Sequence, residues 1–232
     1  MRNLLIGCLL FLTAVPALAN GDQPIEALQK GVEEGLRILN NPKFSDADRK
    51  DAQQHELRII LEQLFDFREF SRRVLASNWK NFTPSQREEF VRVFTEFLGK
   101  FYMAKVQEKY RDEKLNYVGQ EMKSATRALV NVEVVWRGQE IPVDLWMIKR
   151  EGRWKVYDIQ VLGIGAVSNY RAQFKSLLRK ETPAQVIQRI KEKIREIDSE
   201  KQNSSVPKNI SRLTSCLQSD YYRFNLRPLL AR

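Results

Sequence analysis

Residues 128–148 decide the fold: Ala128-Leu129-Val130-Asn131-Val132-Glu133-Val134-Val135-Trp136, then Arg137-Gly138-Gln139-Glu140, then Ile141-Pro142-Val143-Asp144-Leu145-Trp146-Met147-Ile148. Val130, Val132 and Val134 share one phase, and Ile141, Val143, Leu145 and Met147 share another across the Gly-containing turn. An alternation of this kind marks strands with one buried face. Glu151-Gly152 reads as a tight hairpin turn. Residues 154–161 form the next strand, with Tyr157, Ile159 and Val161 in one phase. Residues 114–120 add an earlier strand. Four strands joined by short turns predict an antiparallel meander.

Outward from the meander the period becomes helical. Ile25, Leu28, Val32, Leu36 and Leu39 recur at helical spacing until Asn40-Asn41-Pro42 stops them. A second helical stretch opens at Ser45, and residues 66–75 form a short helix with Phe67, Phe70, Val74 and Leu75 on one side. Thr83-Pro84-Ser85-Gln86 is a capping box with proline at the first helical position. It opens the longest helix, whose stripe holds Phe90, Phe94, Phe97, Leu98, Phe101 and Tyr102. Beyond Gly163-Ile164-Gly165, helix resumes through Tyr170 and Phe174, and Thr182-Pro183-Ala184-Gln185 starts a last amphipathic helix. The expected class is α+β: a four-stranded antiparallel sheet whose one face is covered by the long aromatic helix.

The termini carry their own signals. Arg2, the apolar run 4–15, Pro16 and Ala17-Leu18-Ala19 predict a secretory signal peptide over residues 1–19. Leu5-Ile6-Gly7-Cys8 resembles a lipoprotein box, but the apolar run continues past Cys8, so cleavage after Ala19 is preferred. The main domain is then 20–202, with a helical part at 22–110, sheet at 114–163 and helices at 165–201; residues 203–232 read as a poorly ordered tail. The chain has 39 basic and 29 acidic residues, and 33 against 28 fall in segment 20–202. That mild excess argues against a nucleic-acid partner. It suits transient contact with an anionic lipid surface.

Catalytic and metal chemistry find little to use. The one histidine, His55, lies in the polar run Asp51-Ala52-Gln53-Gln54-His55-Glu56. A nucleophile–histidine pair has no other imidazole to draw on, and zinc sites need several ligands in register. Cys216 is alone once Cys8 leaves with the signal, so no disulfide framework is expected. Asp144 and Asp158, on neighbouring strands, leave open a carboxylate-pair hydrolase. The apolar inventory of the long helix, the sheet and the 165–178 helix fits either a packed core, as in a protein-binding adaptor, or the lining of a cavity for a hydrophobic ligand.

Two stretches resemble the MlaC, or toluene-tolerance, family. One is Arg73-Val74-Leu75-Ala76 with Trp79, then Thr83-Pro84-Ser85-Gln86-Arg87, Phe90, Phe94, Leu98 and Tyr102. The other is Trp154-Lys155-Val156-Tyr157-Asp158-Ile159, Gly163-Ile164-Gly165 and Asn169-Tyr170-Arg171 with Phe174. The resemblance covers about residues 22–200. It implies a periplasmic phospholipid-binding shuttle of the Mla pathway, without a cofactor and not an enzyme. Such a monomer carries lipid between an outer-membrane lipoprotein complex and an inner-membrane MCE/ABC transporter, maintaining outer-membrane lipid asymmetry. It also implies an NTF2-like curved sheet with a helical subdomain. Two acyl chains present roughly 30 methylene-sized groups at about 0.8 kcal/mol each, so a carrier must supply an apolar lining of nearly membrane quality. The residues expected to line it are Phe94, Leu98, Phe101 and Tyr102 on the long helix, Val132, Val134, Val143, Leu145 and Met147 on the sheet, and Ile164, Val167 and Tyr170 beyond it. Arg171 is placed at the rim facing a phosphate, with a salt bridge to Asp158 as the alternative.

Overall fold

The computed structural model describes residues 23–109, 114–136 and 138–204. The signal-peptide reading, both cysteines and residues 205–232 of the tail lie outside them. Helix α1 spans Pro24–Leu39, α2 Lys50–Leu64, α3 Phe67–Leu75 and α4 Pro84–Lys109. Strands follow at Lys114–Ser124 (β1), Arg127–Trp136 (β2), Gln139–Arg150 (β3), Arg153–Val161 (β4) and Ile164–Gly165 (β5), then helices at Ala166–Leu177 (α5) and Pro183–Ser204 (α6).

Local chemistry sets the helix starts. At α4, Thr83 Oγ1 accepts from Gln86 N at 3.2 Å while Gln86 Oε1 accepts from Thr83 N at 3.0 Å. Thr182 and Gln185 repeat the exchange at α6, at 3.3 and 2.8 Å. These are reciprocal capping boxes that satisfy otherwise unpaired amides. Asp66 caps α3 by accepting from Glu69 N. The stretch from Ser45 enters helix later than its composition suggests: short 3-10 turns at Pro42–Phe44 and Ala47–Arg49 precede α2.

The sheet is an antiparallel meander ordered β1-β2-β3-β4-β5. It therefore has five strands rather than four, because Ile164 and Gly165 turn back to pair with Val161 and Gln160. The phase read for residues 154–161 also changes. A register shift opposite Trp146 and Met147 pairs Met147 with Val156 and Leu145 with Ile159. The inserted residue places Trp154 and Val156 on the face of Ile159 and Val161, and sends Tyr157 to the opposite face. There Tyr157 lies under the Arg73 guanidinium, 4.0 Å from its ring centre.

The expected cover of the sheet is also corrected. The long helix α4 packs on α6, α3 and α2, and its aromatic stripe belongs to a helical cluster with α5 and α6. The sheet is covered instead by α1, whose Leu28 joins Ala128, Val130, Val132, Leu145, Met147, Trp154 and Val156 in a separate cluster. The α2–α3 junction runs along β4, where Asp66 N donates to Val156 O at 2.8 Å. Helix α1 rides close on α2 at Gly31, where a Cβ would meet Leu64 Cδ1 at 2.9 Å. The start of α1 is pinned to the sheet by Gln120 Oε1, which accepts from Ile25 N at 2.9 Å.

Candidate functional site

Residues directly opposite in an antiparallel ladder point to the same face, so the register resolves the sheet into rows. The innermost is Ala128, Met147 and Val156, all buried. The next is Val130, Leu145 and Ile159. The third crosses all five strands: Tyr117, Val132, Val143, Val161 and Ile164. The outermost is Leu115, Val134 and Ile141. Burial falls in two directions. From the innermost row to the outermost, side chains pass from fully buried to half-buried. Along the third row, Val132 is buried, Val143 and Val161 are half-buried, and Ile164 is 60% exposed. An apolar face thus begins as core under α1 and becomes progressively more exposed toward one end of the sheet, where Ile164 reaches solvent.

Electrostatics at this open end are sparse. Tyr117 is pushed up to about 12, first by burial and then by the Glu33 carboxylate on α1. It stays neutral at any physiological pH. Most of the face is hydrocarbon with one phenol, a composition that takes a hydrophobic ligand and does not bind charge.

The expected lining residues divide between two places. Val132, Val134, Val143, Leu145, Met147 and Ile164 lie together on this face. Phe94, Leu98, Phe101, Tyr102, Val167 and Tyr170 lie together in the helical cluster. There Phe94 is in ring contact with Phe70, Phe90, Phe97, Tyr170 and Phe174 at centroid distances of 5.1–6.4 Å. Tyr102 and Tyr170 share a hydroxyl hydrogen bond of 3.1 Å, and burial raises both above the usual phenol value. The single space expected to gather helix and sheet residues is therefore two. Sequence reasoning missed Leu115, Tyr117, Ile141, Ile159 and Val161 as members of the open face; the alternation in residues 114–118 was the available signal.

The polar candidates have structural partners. Asp144 Oδ1 accepts from Asn131 Nδ2 at 2.7 Å on the opposite face of the sheet. Asp158 Oδ1 accepts from Val167 N and Ile159 N, each at 2.9 Å, and so caps the start of α5. Its burial raises it above the ordinary carboxylate value, against those two amides and the charges of Arg73 and Arg171. Asp144 stands opposite Gln160, and Asp158 opposite Trp146. Arg171 is exposed, and its Nε donates to Arg73 O at 3.0 Å, which ties it to α3 rather than to the open face. His55 is exposed beside Arg58. Among the described residues no group of three or more His, Cys, Asp or Glu is placed to hold a metal, and no helix is long and apolar enough to cross a membrane.

The family model for the MlaC protein matches residues 29–192. A comparison with curated proteins gives no match. Seven chains of solved structures match. One is a phospholipid-binding protein from Ralstonia solanacearum, solved in complex with a phospholipid. It is 19% identical, covers 76% of this chain and 99% of its own, and superposes with a TM-score of 0.65. At that identity the likeness is one of fold.

Proposed function

The chain belongs to the MlaC family, and on that premise we propose that it is a phospholipid carrier of the periplasm. The observation that carries the proposal is the graded apolar face, buried under α1 at one end and partly exposed at the other. A carrier has to hold acyl chains out of water without holding them covalently. Its lining must be hydrocarbon where the chains lie and open where they enter. The Ralstonia relative of the same fold, with its bound phospholipid, supports this reading.

The acyl chains lie against Val132, Val134, Val143, Leu145 and Ile164, reaching inward toward Met147. The helical residues Phe94, Leu98, Phe101, Tyr102, Val167 and Tyr170 then frame the fold from the neighbouring cluster. Arg171 is not needed at the rim. The carrier works between an outer-membrane lipoprotein complex and an inner-membrane MCE/ABC transporter, in the service of lipid asymmetry. It acts as an exported monomer with no cofactor, and its only ligand is the lipid.

Organic extraction of the purified exported protein, followed by mass spectrometry, tests the proposal. Phospholipid at near one molecule per chain is expected. An extract free of lipid, from protein that is folded by circular dichroism, would sink it. Hydrolysis of ester or glycoside substrates, lost in Asp158→Asn, would favour the carboxylate-pair alternative.

A further inference from the structure

The turn between β4 and β5 is built against the preferences of its own backbone. Leu162 has φ 51°, in the left-handed region, followed by Gly163 at φ 78°. A side chain with a Cβ rarely adopts that conformation, and Asn, Asp or Gly are the residues that do so at low cost. Leu162 is also 53% exposed, and Ile164 beyond it is 60% exposed. The chain shows what a turn of this shape ordinarily carries. At the β3–β4 hairpin, Glu151 has φ 50° and Gly152 φ 77°, the same backbone, with a charged and largely exposed side chain. The fold therefore does not require leucine at position 162.

Position in the sheet gives the apolar pair a meaning. Ile164 closes the five-strand row Tyr117, Val132, Val143, Val161, Ile164. Leu162 N donates to Pro142 O at 3.2 Å, which fixes the turn beside the open end of β3. Ile164 thus ends, without a polar break in that row, the face proposed for acyl chains, and Leu162 stands exposed beside it in the turn.

We propose that Leu162-Gly163-Ile164 is an apolar finger that enters the interface of a lipid bilayer and seats the open end of the sheet against it. The proposal rests on the carrier reading, because a face that receives acyl chains needs an entrance with no aqueous gap. A bilayer is favoured over a second copy of this chain by size. A stable protein interface needs about 800 Å² from each partner, far more than two side chains present, whereas interfacial anchoring scales with the apolar area inserted. The mild basic excess of segment 20–202, 33 basic against 28 acidic residues, adds attraction to an anionic surface.

The test uses the exported protein and vesicles of phosphatidylethanolamine and phosphatidylglycerol. The variant Leu162→Glu keeps the turn geometry, since Glu151 occupies the same conformation, and leaves Ile164 and the acyl-chain face as they are. Cosedimentation with vesicles is expected to fall by about tenfold or more, at unchanged melting temperature and unchanged copurified phospholipid. A second variant, Leu162→Trp, is expected to shift its emission to the blue on vesicles and to be quenched by lipids brominated on their acyl chains. Unchanged vesicle binding by Leu162→Glu overturns the finger, as does a wild type that ignores vesicles. A wild-type dimer in sedimentation that Leu162→Glu abolishes also overturns it, in favour of a second copy. If the wild type holds no phospholipid, the carrier reading falls, while finger-dependent vesicle binding still supports the finger.

Discussion

Phe94 and Val143 sit in two apolar regions made of similar material. Around Phe94 the helices α3, α4, α5 and α6 close from every side, and the buried rings touch one another. Around Val143 the sheet supplies one wall and α1 a partial roof, so burial fades toward one edge. The lesson is that an apolar stripe states what wants to leave water, and only the partner elements decide whether it becomes core or opening. A closed region resists the loss of volume; an open one tolerates added volume and loses occupancy. Substitutions at matched positions should separate the two.

The largest effect belongs to the closed region. Phe94→Ala removes a ring in contact with five others. The cavity left among packed rings should cost about 3–5 kcal/mol, measured as a shift in denaturant midpoint. A loss below about 1 kcal/mol would mean that this cluster is loosely filled, and the contrast between the regions would collapse.

Next comes a charge that clamps the helical half to the sheet. Glu69 is buried, with its side chain 2% exposed, and accepts from Arg72, Arg73 and Arg150 at 2.8–3.3 Å. Burial raises its proton affinity, but the hydrogen bonds from Arg72 and Arg73 outweigh burial and hold it at about 2, against an ordinary 4.5. The folded value is depressed, so this stabilisation is fully present above about pH 4.5 and is lost as pH falls toward 2. Its full size is at most about 3 kcal/mol. Melting curves across that window should fall more steeply for the wild type than for Glu69→Gln. The variant should already be weaker at neutral pH, because it removes the buried charge that Arg72, Arg73 and Arg150 share. Parallel slopes would show that the clamp contributes nothing.

Much of this contrast was legible before the structure, and its limits have physical causes. Period-two alternation located β2 and β3 because over most of their length one face is buried more deeply than the other. The capping boxes at Thr83 and Thr182 located helix starts because their chemistry is local. The bulge in β4 was not legible, since an inserted residue leaves Tyr157 apolar and merely changes the face it points to. The partner of the sheet was not legible either. The stripes of α1 and α4 are both amphipathic, and nothing in a helical period names the surface it will meet. Ile164 is expected in the lining only from its place beyond the last strand. The register gives the sounder reason, that it ends a row which begins at Tyr117.

Two tryptophan substitutions on one sheet face bring the comparison to its finest point. Leu145 lies in the second row, 8% exposed beneath α1, and Val143 lies one row outward, half-buried. Leu145→Trp adds bulk where the lining is already packed, so it should overpack and cost about 1–3 kcal/mol. Val143→Trp adds bulk where the face is only partly covered. The indole can turn toward the open end, so the cost to stability should stay below about 1 kcal/mol. The same indole takes the place of acyl chain, so copurified phospholipid should fall sharply in Val143→Trp while its melting temperature barely moves. Full lipid content in Val143→Trp with a melting temperature as depressed as that of Leu145→Trp would place Val143 in ordinary core. The opening would then have to be sought at the Leu115, Val134 and Ile141 row, where burial is also incomplete.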